Sequence, residues 1–240
     1  MADRTGNDLV RRATAEAVGT AFLVAIVVGS GIYAQRLSPN NIGLQLLENS
    51  IATGAGLVAL ILALGPVSGA HFNPIVTLAD RILGGTTTRD AGVYMVVQVA
   101  GACFGAMVAN LMFDLPAVTL STNTRSSSGI WLGEVVASFG LILVILGVVR
   151  AGRASAAAFA VGGYIAAAYW FTSSTSFANP AVTIGRCLTD TFAGIAPSSV
   201  PAFIVFQIIG GLAGVALGHY LNPTVPAIDL IVPHNSSDPN

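Results

Sequence analysis

Hydrophobic residues fall along the chain in long runs that are separated by short polar segments. Six runs approach the length of about 20 residues that an α-helix needs to cross the hydrocarbon core of a bilayer. They cover residues 13–33, 44–64, 91–113, 130–149, 154–171 and 200–220. The pattern predicts six transmembrane helices, which would leave both ends of the chain on the same side of a membrane.

Two further apolar segments, residues 73–84 and 179–190, are too short to span a bilayer. Each opens with an Asn-Pro pair, and Asn is favoured at a helix N-cap while Pro is favoured at the first helical position. The pairs therefore predict two helices of about three turns each. Apolar helices of this length are candidates for re-entrant segments, which enter the membrane and leave on the same side.

The two halves of the chain repeat one pattern. Asn73 and Asn179 are 106 positions apart, and each half reads as a helix with a Glu, a plain helix, the Asn-Pro segment and a helix with a Gln. Three long helices per half is an odd number, so the second copy must enter the membrane inverted. We predict repeat 1 over about residues 13–113 and repeat 2 over about residues 129–221, with the functional site where they meet.

Composition and charge point to the same class of protein. The chain is 54% hydrophobic and only 9% charged, against about 25% charged residues in soluble domains. A net charge of −1 gives no support to nucleic-acid binding. Seven of the ten Arg residues would lie on the side of the termini, which predicts cytoplasmic termini. We expect residues 1–12 and 222–240 to be cytoplasmic tails of one channel domain over residues 13–221.

The phrases "SGAHFNPIVT" and "NPAVT", the Glu pair and the Gln-containing helices together resemble the aquaporin family, the major intrinsic proteins, over about residues 10–220. The resemblance implies an all-α membrane fold of six tilted helices and two half-helices around a pore, assembled as a homotetramer. It also implies that the side-chain amides of two Asn residues donate hydrogen bonds to a passing solute. The two pore motifs are Asn73, Pro74 and Ile75, and Asn179, Pro180 and Ala181.

Several polar residues sit in apolar surroundings and need partners. Glu16 and Glu134 could carry protons, or they could accept hydrogen bonds from backbone N–H groups of the re-entrant loops, which is the role that the family resemblance implies. His71 could be a ligand or pH sensor, and a hydrogen bond that fixes the loop is the favoured alternative. Gln98 and Gln207 are expected to support helix packing or the loops.

The family resemblance also places a selectivity filter, by counting from the two motif Asn residues. The count gives Thr53, Ala167, Ser176 and Val182. Val182 stands where the family usually has Arg, and water-selective members usually carry an aromatic residue and a His at the first two positions. Four small, uncharged side chains predict a wide and weakly polar mouth. This pattern resembles a bacterial branch linked to arsenic handling.

Two residues near the motifs have alternative interpretations. Arg186 follows Val182 by four positions, so it could replace the missing Arg, but a role in headgroup contact or loop pairing is favoured. Ile75 takes the place of the common Ala. It could narrow the pore, although sideways packing is the favoured interpretation.

The sequence therefore predicts a passive channel for small uncharged solutes, namely arsenite-type metalloid hydroxides, glycerol and water, in a bacterial inner membrane. Three alternatives remain: a narrow water-selective channel, an ion-coupled transporter that uses Glu16 or Glu134, and a membrane protein without a pore. No motif indicates an enzyme, and no spacing of residues indicates a metal or another cofactor.

Overall fold

The computed structural model describes residues 6–221, which form eight α-helices, three short 3₁₀ turns and no strand. Six of the helices are long and apolar enough to cross a membrane. The predicted fold class, six long helices with two short ones between them, is confirmed. The predicted tail over residues 222–240 lies outside the described residues. The helices are α1 (Gly6–Leu37), α2 (Ile42–Ser68), α3 (Pro74–Leu83), α4 (Thr88–Met112), α5 (Ser128–Arg150), α6 (Ala157–Phe171), α7 (Pro180–Gly185) and α8 (Val200–Leu221).

The first helix begins at Gly6, seven residues before the apolar run that predicted it. Its polar first turns are stabilised by ion pairs rather than by apolar burial. Asp8 accepts hydrogen bonds from Arg11 at 2.8 Å and from Arg12 at 2.9 Å, one turn further along the helix. Arg12 also binds Asp90 of α4 at 2.7 Å, with both side chains largely buried. Part of the segment predicted as an N-terminal tail is therefore helix.

Contacts between helix ends indicate that successive long helices cross the molecule in alternate directions. The start of α1 meets the start of α4 through Arg12 and Asp90, and the end of α1 meets the end of α4 through Arg36 and Phe113. We call the face at which α1 begins the near face and the face at which it ends the far face. The segment that contains α3 leaves from the near face, because α2 ends there and α4 begins there. By the same alternation, α7 belongs to the far face. The two short helices thus enter the bundle from opposite sides, as an inverted repeat requires.

The same helix contact recurs in both repeats and depends on glycine. A Cβ atom at Gly101 of α4 would lie 2.3 Å from the carbonyl oxygen of Ala17 in α1. A Cβ atom at Gly210 of α8 would lie 2.2 Å from the carbonyl oxygen of Val135 in α5. Such close backbone contact is typical of helix pairs in membranes, where small residues allow helices to approach.

The second short helix is shorter than its sequence predicts. A helix was expected over residues 179–190, whereas α7 ends at Gly185 and is followed by one 3₁₀ turn, Arg186–Leu188. The carbonyl of Arg186 accepts a hydrogen bond from the backbone N–H of Ile195, at 3.3 Å, in the following loop. This contact takes the place of the next helical hydrogen bond, and α7 stops there.

Candidate functional site

The two short helices begin with the same cap. Asn73 is the N-cap of α3, and its Oδ1 accepts the backbone N–H of Ile75 at 2.9 Å. Asn179 is the N-cap of α7, and its Oδ1 accepts the backbone N–H of Ala181 at 3.0 Å. Pro74 and Pro180 are each the first helical residue, where the missing N–H has no intrahelical partner to lose.

The two caps are also bonded to each other's loop. The Nδ2 of Asn73 donates to the carbonyl oxygen of Ala178 at 2.8 Å, and the Nδ2 of Asn179 donates to the carbonyl oxygen of Phe72 at 2.8 Å. Both Asn side chains are buried. The starting ends of the half-helices therefore meet inside the bundle, and each repeat completes the hydrogen bonding of the other.

The loops before the two caps adopt an unusual backbone conformation. Ala70 and Phe72 have φ values of 48° and 47°, and Ser176 and Ala178 have φ values of 50° and 45°. Positive φ disfavours residues with a Cβ atom and costs of the order of 1 kcal/mol or more at each position. The left-handed residues recur at equivalent places in the two repeats, so the two loops have the same shape and need the same external support.

A buried carboxylate supplies that support in each repeat. Glu16 accepts the backbone N–H groups of His71 and Phe72 at 2.9 and 2.7 Å. Glu134 accepts the backbone N–H groups of Phe177 and Ala178, both at 2.9 Å. These N–H groups would otherwise be buried without partners, which is costly.

Each carboxylate is connected to its half-helix through a Gln and a Thr. The Nε2 of Gln98 lies 2.8 Å from Glu16 and 3.0 Å from the hydroxyl of Thr77 in α3. The Nε2 of Gln207 lies 2.5 Å from Glu134 and 2.9 Å from the hydroxyl of Thr183 in α7. The geometry favours the loop-supporting interpretation of both Gln residues.

The glutamates are poorly placed for a proton pathway. Glu16 and Glu134 are fully buried, and neither side chain lines the channel described below. Their oxygen atoms are occupied by donors from the loops and the Gln residues. The arrangement favours a structural role over proton carriage.

His71 is fixed by contacts on several sides. Its Nδ1 lies 3.1 Å from the Thr77 hydroxyl, and its Nε2 faces the carboxylate of Asp80 at 4.0 Å. Its ring also makes an edge-on contact with Tyr94. His71 borders the channel, but these contacts favour the interpretation that it holds the loop. Within residues 6–221, no group of three or more His, Cys, Asp and Glu residues could hold a metal ion.

A cavity lies between the two halves and borders both motif Asn residues, and we call this cavity the channel. Most of its wall is apolar and comes from both repeats. The apolar lining side chains include Leu23, Val27, Leu57, Ile61, Leu141, Ile145, Val161 and Ile165. Polar groups are concentrated at the Asn pair, in the two loops and in the part nearer the far face. Such a passage offers few hydrogen-bonding sites except where the half-helices meet and in the part nearer the far face.

Three of the four predicted filter residues line this channel, and one does not. Thr53, Ser176 and Val182 border it. The prediction for Ala167 is wrong, because this residue lies on the exposed outer face of α6, in line with the exposed aromatic side chains of Phe159 and Trp170. Counting back from Asn179 assumes a fixed length for the loop between α6 and α7. In this chain the count selects a residue on the side of α6 that faces away from the channel.

Tyr169 occupies the channel wall instead, two positions later on α6. It is 3% exposed, and its hydroxyl is hydrogen-bonded to the hydroxyl of Thr53 at 3.2 Å. A helical stripe at Val161, Ile165 and Tyr169 faces the channel, and this spacing of four is a sequence signal that could have identified Tyr169.

Arg186 is the second difference from the predicted mouth. Its side chain is 2% exposed and borders the channel, so the headgroup role is wrong. The loop-pairing role has support, because Nε of Arg186 donates to the carbonyl of Ala193. The expectation of a mouth lined only by small, uncharged side chains is therefore wrong, since Tyr169 and Arg186 both line it.

Ile75 does not border the channel. It is 2% exposed, and it packs against α8 at Gly211, where a Cβ atom would lie 2.4 Å from Cγ2 of Ile75. The structure favours the sideways-packing interpretation of this residue.

Comparison with known proteins gives a consistent result. A family model described as "Major intrinsic protein" matches residues 4–173. The chain is 50% identical to "Aquaglyceroporin AqpS" of Rhizobium meliloti (strain 1021), over 92% of this chain and 94% of that protein. It is 32% identical to "Probable aquaporin AqpM" of Archaeoglobus fulgidus, over 89% of this chain and 97% of that protein. Its fold matches the X-ray structure of the aquaglyceroporin from Plasmodium falciparum with a TM-score of 0.66 and 21% identity, covering 90% of this chain and 96% of that one.

Proposed function

The chain belongs to the major intrinsic protein family, whose members are membrane channels rather than enzymes, and we propose that it conducts water, glycerol and arsenous acid passively. The observation that carries the proposal is that Asn73 and Asn179 each donate to a loop carbonyl of the other repeat, at Ala178 and Phe72, beside the channel. Two half-helices that end inside a membrane protein require a cavity or protein around their irregular backbone. Here the loops before both caps border the channel.

The electrostatics of this centre favour neutral solutes. The N-terminal end of a helix carries a partial positive charge, up to about half an elementary charge in a long helix. Two such ends face one another here, and the surrounding wall is apolar. A proton or cation would meet positive potential in poorly solvated surroundings, whereas a neutral solute would not.

Arsenous acid is included because of its chemistry. It is neutral at pH 7 and presents hydroxyl groups much as a polyol does. Val182, at the position where Arg is usual in the family, adds neither charge nor donors to the mouth. The relative from Rhizobium meliloti carries the name of an aquaglyceroporin, which supports the inclusion of glycerol.

The protein is a multi-pass membrane protein by its family and its six apolar helices. We place it in a bacterial inner membrane as a homotetramer with one channel per protomer, and with both termini in the cytoplasm. The near face would then be cytoplasmic, because six of the nine Arg residues within residues 6–221 belong to that side.

A water-selective channel is the second candidate, and one observation favours it. Tyr169 and Arg186 border the part of the channel nearer the far face, where only small side chains were expected. A bulky ring and a guanidinium could leave room for water alone.

Flux measurements on proteoliposomes separate the candidates. Stopped-flow swelling with water, glycerol and arsenous acid should show passage of all three. Passage of water alone would support the second candidate and contradict the first. Accumulation of a solute against its gradient would contradict both and indicate an ion-coupled transporter.

Two substitutions on α6 provide a matched control. Ile165 borders the channel, whereas Ala167 lies on the exposed outer face. Ile165→Trp should reduce the flux of every solute, and Ala167→Trp should leave each flux close to that of the unchanged protein. Equal effects of the two substitutions would show that solutes do not follow the proposed channel.

A further inference from the structure

We propose that Arg186 determines charge selectivity at the mouth of the channel nearer the far face, which we call the far mouth. The guanidinium is almost fully buried and borders the channel beside Ser176, Val182 and Tyr169. Val182 has no charge or donor to offer at the usual place for Arg. The guanidinium of Arg186, which follows the end of α7, would supply both the positive charge and the hydrogen-bond donors.

The position of this guanidinium is fixed by two contacts. Its central carbon lies 3.4 Å from the centre of the Phe177 ring. Its Nε donates to the carbonyl oxygen of Ala193. Stacking on an aromatic ring and a bonded Nε leave the two terminal nitrogen atoms as the groups available to a solute.

No carboxylate lies within ion-pair distance of this charge in the part of the chain that the structure describes, and Glu134 acts on it only at longer range. Arg186 forms no ion pair there with a carboxylate, and its hydrogen bond to Ala193 is the only one found for the guanidinium. The hydroxyl of Ser176, which is 2% exposed and borders the same channel, also has no hydrogen-bond partner among residues 6–221. The far mouth thus presents unused donors and an unused hydroxyl to whatever passes.

Arg125 provides an internal comparison. Its guanidinium also lies against Phe177, with the central carbon 5.2 Å from the ring centre. It donates to the carbonyl oxygen atoms of Gly194 and Phe192, at 3.1 and 3.4 Å. Arg125 borders a separate polar pocket on the outside of the protein and not the channel. The two arginines therefore share a ring but differ in whether a permeating solute meets them.

The consequence for transport follows from this geometry. A fixed positive charge in a buried, partly apolar passage repels cations at short range with little screening. A neutral solute with oxygen acceptors can instead accept hydrogen bonds from the guanidinium and bind Ser176. The inference rests on the proposed function, because it assumes that solutes pass through this channel.

The test is the permeability of proteoliposomes to guanidinium, a small cation, relative to glycerol. Arg186→Gln removes the charge and keeps a polar side chain, and we expect the guanidinium to glycerol ratio to rise at least about tenfold. Arg186→Lys keeps a positive charge and should keep the ratio low. Arg125→Gln is the matched control and should leave the ratio close to that of the unchanged protein. A residue that only supports the fold would alter both fluxes together and would not change their ratio.

A second variant guards against misfolding of Arg186→Gln. Val182 lies one turn before Arg186 and also borders the channel, so a carboxylate there can pair with the guanidinium and cancel its charge. Val182→Glu should raise the ratio relative to Val182→Gln. If glycerol still passes and the guanidinium to glycerol ratio of Arg186→Gln is unchanged, the inference is wrong. If Arg186→Gln does not fold, an unchanged ratio in Val182→Glu leads to the same conclusion. Absence of any solute flux in the unchanged protein would overturn the proposed function itself.

Discussion

Substituting Gly211 by alanine should destabilise the protein, because the new methyl group would lie 2.4 Å from Cγ2 of Ile75. Ile75 is 2% exposed, and its side chain fills the space that the glycine leaves in α8. The pair consists of one large and one minimal side chain. The contact is therefore sensitive to added volume at Gly211 and to lost volume at Ile75.

The size of each effect follows from the type of packing change. Overpacking of a filled interior costs about 1–3 kcal/mol, which predicts a melting temperature lowered by roughly 2–12 °C for a chain of this size. Ile75→Ala should cost about 2–5 kcal/mol through the cavity that it leaves. In the double variant, the methyl group introduced by Gly211→Ala occupies part of that cavity. The stability lost by the double variant should be smaller than the sum of the two single losses by the order of 1 kcal/mol or more.

Thermal unfolding of the detergent-solubilised protein measures these losses. Gly163→Ala in α6 is the matched control, since a Cβ atom there would have no neighbour within 4 Å. It should be neutral or slightly stabilising, because Ala favours the helix more than Gly does. The packing described for Ile75 is wrong if Gly211→Ala and Gly163→Ala have the same melting temperature. It is also wrong if the stability lost by the double variant equals the sum of the two single losses.

The same pair of residues has a functional consequence. Ile75 does not border the channel, so Ile75→Ala should keep the ratio of glycerol to water permeability even where it lowers stability. A changed ratio would indicate that Ile75 forms part of the channel wall.

Three further predictions concern the channel and its support. Tyr169→Ala should raise glycerol flux severalfold in stopped-flow swelling, because the ring and its contact with Thr53 form part of the wall; an unchanged flux would indicate that the narrowest point lies elsewhere. Glu134→Ala should lower the melting temperature, because it leaves two backbone N–H groups and Gln207 without their acceptor, at about 1–3 kcal/mol for each donor; normal melting with loss of flux would instead favour a transport role for Glu134. Val182→Arg should preserve water flux while reducing glycerol and arsenous acid flux, since it adds bulk and charge to the mouth, and equal passage of all solutes would show that Val182 is not at a constriction.

The sequence predicts the architecture because its signals are local and strong. Apolar runs of membrane length and the inverted order of the two halves lead directly to six long helices and two short ones. The Asn-Pro pairs mark where both short helices begin, since a cap and its first turn depend on neighbouring residues. The support of the loops by Glu16 and Glu134 could be anticipated, because a carboxyl group in a membrane span needs partners.

The far mouth could not be predicted in the same way. Ala167 was selected by a count that assumes a fixed loop length, and two residues along a helix are enough to reverse the face. Arg186 stands one turn after Val182, so the spacing leaves open that it reaches the channel. Its guanidinium is held there by Phe177 and by the carbonyl of Ala193, which lie in loops. The loop lengths and loop contacts on which both outcomes depend leave no mark in the motif spacing, whereas the spacing of four between Ile165 and Tyr169 does mark the channel side of α6.

Asn73 and Asn179 each donate to a carbonyl in the loop of the other repeat, so neither repeat forms a complete centre by itself. A chain with one repeat could build the same centre only by pairing with a second copy inserted in the opposite sense. Such a pair would depend on balanced dual insertion and on the concentration of both orientations in the lipid. Joining the repeats covalently fixes their stoichiometry at one to one. The centre then forms as a single chain folds and does not require two separate chains to meet in the membrane.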